Sequence, residues 1–201
     1  MRTSLDDAIP FLPWTIFGYA WCYTSTLLPV FVVRSWELFR RGILAYVMAL
    51  LIAFACFAFF PVTSRGFRPD LSTLDPNHFV TWAARTNLSI DPPFNLFPSL
   101  HMALAALAAY ITWKARRLFG LISMGIAVAI AITICTIKAH FIADGLAGLE
   151  LAAVVSVVCV RPFRSQSVPL ADRAYSWRAL VAYFTFHFAF YFGFFVAFLV
   201  Q

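Results

Sequence analysis

The sequence predicts an all-α protein, a polytopic membrane helix bundle of about six transmembrane helices in a single domain over residues 1–201. Three observations predict it. Of the 201 residues, 62% are hydrophobic and 12% charged, where a soluble domain carries roughly 25% charged residues, and the mean hydropathy is +0.83. Six apolar runs come close to or exceed the roughly 20 residues that cross a bilayer as a helix. No long alternating strands are present, and in lipid a helix satisfies its backbone polar groups within its own segment.

Taken in order, the N-terminus carries Arg2, Asp6 and Asp7, and the apolar run after it passes Leu28 without a small-residue cleavage site. It reads as a retained span, not a signal peptide. The spans fall near residues 11–33, 42–61, 98–114, 118–138, 140–160 and 179–200. The third is short. The last gathers Phe184, Phe186, Phe188, Phe190, Phe192, Phe194 and Phe195, and an all-round apolar helix suits an edge facing lipid. Ala143, Ala147 and Gly148 in the fifth span and Ala105, Ala106 and Ala109 in the third would permit close packing or serve as filler. Glu150 and His187 fall near the middles of the fifth and sixth spans, so they either pair or leave Glu150 protonated on a backbone carbonyl. Cys22, Cys56, Cys135 and Cys159 lie inside apolar runs at no repeated spacing, as small buried side chains and not as a metal motif or disulfide framework.

Connectors after the first, third and fifth spans hold Arg34, Arg40, Arg41, Lys114, Arg116, Arg117, Arg161, Arg164, Arg173 and Arg178, ten of the fifteen basic residues. The positive-inside rule makes that end cytoplasmic and puts both termini on the outer face. Spread over connectors, the net charge of +6 suits anionic membrane lipids and offers no basic groove for a nucleic acid. On the outer face the long connector 61–97 carries Arg65, Arg68-Pro69, Asp70, Asp75, His78, Arg85, Asp91 and Pro92-Pro93, with Phe79 and Trp82 suited to the membrane interface. A loop of that length is a candidate lid.

Two polar clusters bracket the third and fourth spans, and a hairpin of those spans returns both to one face. Phe97-Pro98-Ser99-Leu100-His101 opens the third: proline keeps Phe97 out of a helix, Ser99 is a good N-cap, and the free N–H groups of a helix start attract anions. The same five residues also fit a plain serine cap beside an interfacial histidine. Lys138-Ala139-His140-Phe141-Ile142-Ala143-Asp144 opens the fifth. Four apart on a helix, His140 and Asp144 would share a face, the carboxylate fixing one imidazole nitrogen and leaving the other as base or nucleophile. A salt-bridged pair at a helix end is the plainer reading, but an aspartate inside a span is costly unless it has a function. A helix N-terminus, a lysine, an arginine-bearing loop, a buttressed histidine and a second histidine together describe phosphoryl transfer, which needs cations around the equatorial oxygens, a nucleophile on one side and an acid on the other.

Phe97-Pro98-Ser99-Leu100-His101 and His140-Phe141-Ile142-Ala143-Asp144 resemble the second and third signature motifs of the type 2 phosphatidic acid phosphatase superfamily, and Arg68-Pro69 resembles the end of the first. The resemblance implies that His140 attacks phosphorus to form a phosphohistidine, that His101 protonates the leaving group, and that Asp144 orients His140. It further implies that Ser99, Arg68 and Lys138 hold the phosphate. The chain departs from the family pattern at Pro61, where the first motif has lysine, at Thr133 and Ile134, where the third has Ser-Arg, and at Leu100, where the second usually has glycine. Lys138, one turn after Ile134 and on its face if the fourth helix reaches it, is a substitute cation, and Arg65 is another. The wording of the motifs is most similar to the branch holding inositolphosphotransferases and sphingomyelin-synthase-like proteins. The expected function is a membrane lipid phosphatase acting on a lipid phosphate monoester or diphosphate without metal or cofactor, in the plasma (inner) membrane with its site on the extracytoplasmic face. A lipid phosphotransferase would use the same residues with a hydroxyl acceptor. The competing class is a non-enzymatic transporter or lipid-binding protein.

Overall fold

The computed structural model describes residues 2–164 and 177–200, and Arg173 lies outside the described residues. Helix α1 (Ser4–Ala8) opens with a capping box between Thr3 and Asp6. The expected first span is not one helix. A 3-10 turn at Pro13–Thr15 leads into α2 (Ile16–Tyr19), α3 (Trp21–Ser25) and α4 (Leu28–Val32). The N–H groups of Tyr23, Leu27 and Val30 bond three residues back, to Ala20, Thr24 and Leu27, so the chain tightens and turns at the junctions. Pro13 and Pro29 each begin a new segment, as a residue without an N–H does best.

Helix α5 (Trp36–Phe59) starts before the expected 42 because the Ser35 hydroxyl caps Leu38 N–H. The connector that follows carries α6 (Phe79–Ile90), which the sequence reading did not anticipate. Phe79 packs on Phe195 and Phe198, and Trp82 on Phe194 and Phe198, so these rings meet the last helix. Helices α7 (Leu100–Ala115) and α8 (Arg117–Thr136) form the predicted hairpin across Arg116, whose backbone is extended. Gly120 makes that turn possible: a methyl there would lie 2.4 Å from the Trp113 Cα. Helix α9 (Ile142–Val155) runs on through a π turn at Ser156–Val160, and α10 (Trp177–Leu199) ends the described chain.

Among the described residues four helices are long and apolar enough to cross a membrane, namely α5, α8, α9 with its π turn, and α10. The expected six is reduced because the first span is broken and because α7, at 16 residues, falls short of the length needed. Helix α7 is the centre of the bundle, its Ala103, Ala105, Ala108 and Ala109 buried, with Ala45, Ala49 and Ala53 of α5 buried at four-residue spacing. Gly148 of α9 crosses the start of α7 so closely that a methyl would stand 2.3 Å from the Ser99 carbonyl oxygen. As the phenylalanine count suggested, α10 is an edge: Phe186, Phe188, Phe192 and Phe195 are exposed while Leu180, Tyr183 and His187 are buried.

The expected Glu150–His187 pair does not form. His187 Nδ1 lies 2.7 Å from Thr24 Oγ1, its ring packed against Trp21 and Tyr191, and Glu150 is on the exposed side of α9. At one end of the bundle α1, the 61–97 connector and the α8–α9 turn meet, through Arg2 on the Gly66 carbonyl and Asp6 on Ile142 N–H. At the other end Lys114 Nζ donates to the carbonyls of Arg161 and Phe163, and Arg41 to that of Cys159. The connectors therefore gather at the two ends in the grouping the charge pattern predicted.

Candidate active site

Ser99 caps α7, its Oγ accepting from Met102 N–H and its own N–H donating to the Asp144 carbonyl at 2.9 Å. That bond, with the Gly148 crossing, locks the start of α7 to the start of α9. His101 follows in the first turn, and its Nδ1 lies 3.0 Å from His140 Nε2. The two imidazoles that the sequence separates by a hairpin face each other directly.

His140 is not on a helix. Helix α8 ends at Thr136, and the next residues fold back so that the N–H groups of Ala139 and His140 both reach the Ile134 carbonyl at 3.0 Å. Lys138 carries the turn with φ +60°, a left-handed conformation that a lysine adopts at a cost. Helix α9 starts two positions after His140, so the expected i, i+4 pairing on one helix is corrected. Asp144 instead sits in the first turn of α9, its Oδ2 accepting from Phe141 N–H at 3.0 Å. The same oxygen stands 3.7 Å from His140 Nδ1, within electrostatic reach but longer than a hydrogen bond. Asp144 is fully buried, and its Oδ1 and His140 Nδ1 have no hydrogen-bond partner. Such contacts tighten when a substrate closes the site.

The third wall comes from the connector. Its ends are tied by the Thr63 and Phe94 bridge and by Ser64 N–H on the Pro93 carbonyl. Arg68 reaches inward from it, Nη1 donating to the Leu88 and Asp91 carbonyls and Nη2 to Asp91 Oδ2 at 3.2 Å. Its Nε is buried without a partner. Arg68, Asp91, Phe94, His101 and His140 line one cavity of about 230 Å³, with Phe57 of α5 on its flank.

Of the sequence-predicted residues, His101, His140 and Arg68 thus meet at this cavity, Asp144 stands behind His140, and Ser99 holds the backbone beneath. Arg65 is exposed, its guanidinium 4.7 Å from the Phe94 ring. Lys138 is placed differently from the expectation. Because α8 stops short of it, its side chain leaves the Ile134 face and its Nζ donates to the Asp6 carbonyl at 2.7 Å, 4.4 Å from the Phe67 ring. Burial pushes its ammonium below the usual lysine range, against the pull of Asp7 and Asp6. Asp6, which the sequence reading left unassigned, is the buried acceptor for Ile142 N–H at 2.8 Å. Burial alone would raise its carboxyl, but hydrogen bonds from Ile142 and Thr3, with Lys138 near, hold it below the ordinary value. The sequence signal for it was the Thr3 to Asp6 capping spacing.

No curated protein and no solved structure matches the chain. A family model described as the PAP2 superfamily matches residues 5–158. That stretch contains every residue of the cavity, its two histidines and the helix starts that carry them. The chain therefore belongs to the PAP2 superfamily, a group of phosphatases and phosphotransferases, and with its four long apolar helices it is a membrane protein.

Proposed function

We propose that the protein is a lipid phosphatase that hydrolyses a lipid phosphate monoester or diphosphate through a phosphohistidine. The carrying observation is the approach of His140 Nε2 and His101 Nδ1 to 3.0 Å at a cavity that also holds an unpartnered arginine N–H. With Asp144 holding a proton on Nδ1, the lone pair of His140 Nε2 attacks phosphorus while the phosphorus–oxygen bond to the lipid breaks. His101 gives its Nδ1 proton to the departing oxygen. It then takes a proton from water, whose oxygen displaces His140 and releases inorganic phosphate. A phosphoryl group occupies the space between the rings, so they part as it enters. Arg68 Nε–H supplies the buried cation for its oxygens, Arg65 a second at the rim, and Ser99 sets the first turn of α7 against it. Lys138, tied to Asp6, is assigned to holding the turn that carries His140.

The proposed location is the plasma membrane with the cavity on the extracytoplasmic face, supported by the ten basic residues of the opposite set of connectors. The test is phosphate release from a panel of lipid phosphates by purified protein in detergent, with and without alcohol acceptors. Release in water supports the phosphatase. A phosphorylated alcohol formed in preference to phosphate supports the transferase of the inositolphosphotransferase type. His140→Ala expressed at wild-type level with turnover intact contradicts both and leaves a transporter or lipid-binding protein.

A further inference from the structure

Behind His101 lies a second carboxylate that the reaction above does not use. Tyr19, fully buried at the end of α2, places its hydroxyl 2.8 Å from Asp91 Oδ2 as donor. The same oxygen stands 3.3 Å from His101 Nε2 and 3.4 Å from Nδ1. Since Nδ1 is turned to His140 at 3.0 Å, Nε2 is the nitrogen left for Tyr19. The rings of Tyr19 and Tyr23 flank the imidazole, with centroids 5.0 and 6.3 Å away. Asp91 is fixed in turn by Arg68.

We infer that Tyr19 and Asp91 are positioning residues for His101: the carboxylate holds the tyrosine hydroxyl, whose oxygen accepts the Nε2 proton of His101 and aims the Nδ1 proton at the leaving group. The inference rests on the phosphatase reading for its chemical consequence and on the structure alone for its contact. It gives each histidine its own carboxylate, Asp144 behind His140 directly and Asp91 behind His101 through one hydroxyl. It also supplies a use for the broken first span, since a straight helix would not be bound to deliver Tyr19 to this point. Neither residue belongs to the three motifs. Asp91 was legible only as one more loop acid, and Tyr19 not at all.

The test compares wild type and Tyr19→Phe, which keeps the ring, on two phosphate monoesters with the same alkyl chain. One departs as an alkoxide and needs a proton; the other departs as a nitrophenolate and needs little help. General acids contribute about 10²- to 10⁴-fold, so the variant is expected to lose about 10-fold or more in kcat on the alkyl ester beyond whatever it loses on the nitrophenyl ester. A merely structural role predicts equal losses, and equal losses would overturn the inference. The contact is read separately, without turnover, from the Nε2–H resonance of His101 in protein labelled with ¹⁵N-histidine. It should shift in Tyr19→Phe, and an unmoved resonance would overturn the inference whatever the kinetics. If wild type hydrolyses neither ester, the phosphatase reading fails, while the resonance still tests the contact.

Discussion

At the scale of the residue, Asp144 performs two tasks with one oxygen. Its Oδ2 caps Phe141 N–H and faces His140 Nδ1. Asp144→Asn can keep the cap, because the amide oxygen still accepts, while removing the charge that stabilises a histidine acquiring positive charge. Turnover in that variant should fall about 10²- to 10⁴-fold with little change in melting temperature, read by phosphate release and thermal unfolding in detergent. Asp6 is the opposite case, a residue whose loss acts on the fold first. Asp6→Ala removes the buried acceptor for Ile142 N–H and should cost about 1.5–3 kcal/mol, since a hydrogen bond to a charged group is lost. The sign with pH follows from the lowered carboxyl of Asp6. A group depressed on folding stabilises above its unfolded value and loses that contribution as pH falls through its folded one. The gap in melting temperature between wild type and Asp6→Ala should therefore shrink as pH drops below about 4.

At the scale of the element, the crossing of α9 over α7 sets the distance between the two histidines. Gly148→Ala would bring a methyl to 2.3 Å from the Ser99 carbonyl, and backbone cannot give way cheaply, so about 1–3 kcal/mol of destabilisation and a larger loss of turnover are expected. Gly125, with nothing within 4 Å of an added methyl, is the control. Gly125→Ala should be neutral or up to about 1 kcal/mol stabilising, because alanine is the better helix former. The elements were unequally legible. Long apolar runs bounded by charges announced α5, α8, α9 and α10, and the Ser99 cap placed α7 to the residue. Helix α6 went unseen although Ala83, Ala84, Asn87 and Leu88 are buried at helical spacing, because alanines and an asparagine carry a faint hydrophobic signal. The first span read as continuous because hydropathy is blind to the turns that Pro13, Pro29 and the hydroxyl residues between them permit. The place of Lys138 turned on where α8 stops, and residues 137–141 contain neither glycine nor proline to mark the end.

At the scale of the molecule, the bundle brings together three chain segments that are distant in sequence: the end of the 61–97 connector, the start of α7 and the turn before α9. The motifs identified two of these as a histidine pair, and the hairpin of α7 and α8 explains how they return to one place. What sequence spacing could not supply is tertiary: the reach of Arg68 to Asp91, and the anchoring of the site by the N-terminal Asp6. The central claim is that His140 becomes covalently phosphorylated. The direct measurement is alkaline quench of the protein during turnover of a lipid phosphate labelled with ³²P. Label is predicted on wild type, stable to alkali and released by mild acid, absent from His140→Ala, and assigned to His140 by peptide mapping. Steady turnover with no label on wild type, or the same label on His140→Ala, would contradict it.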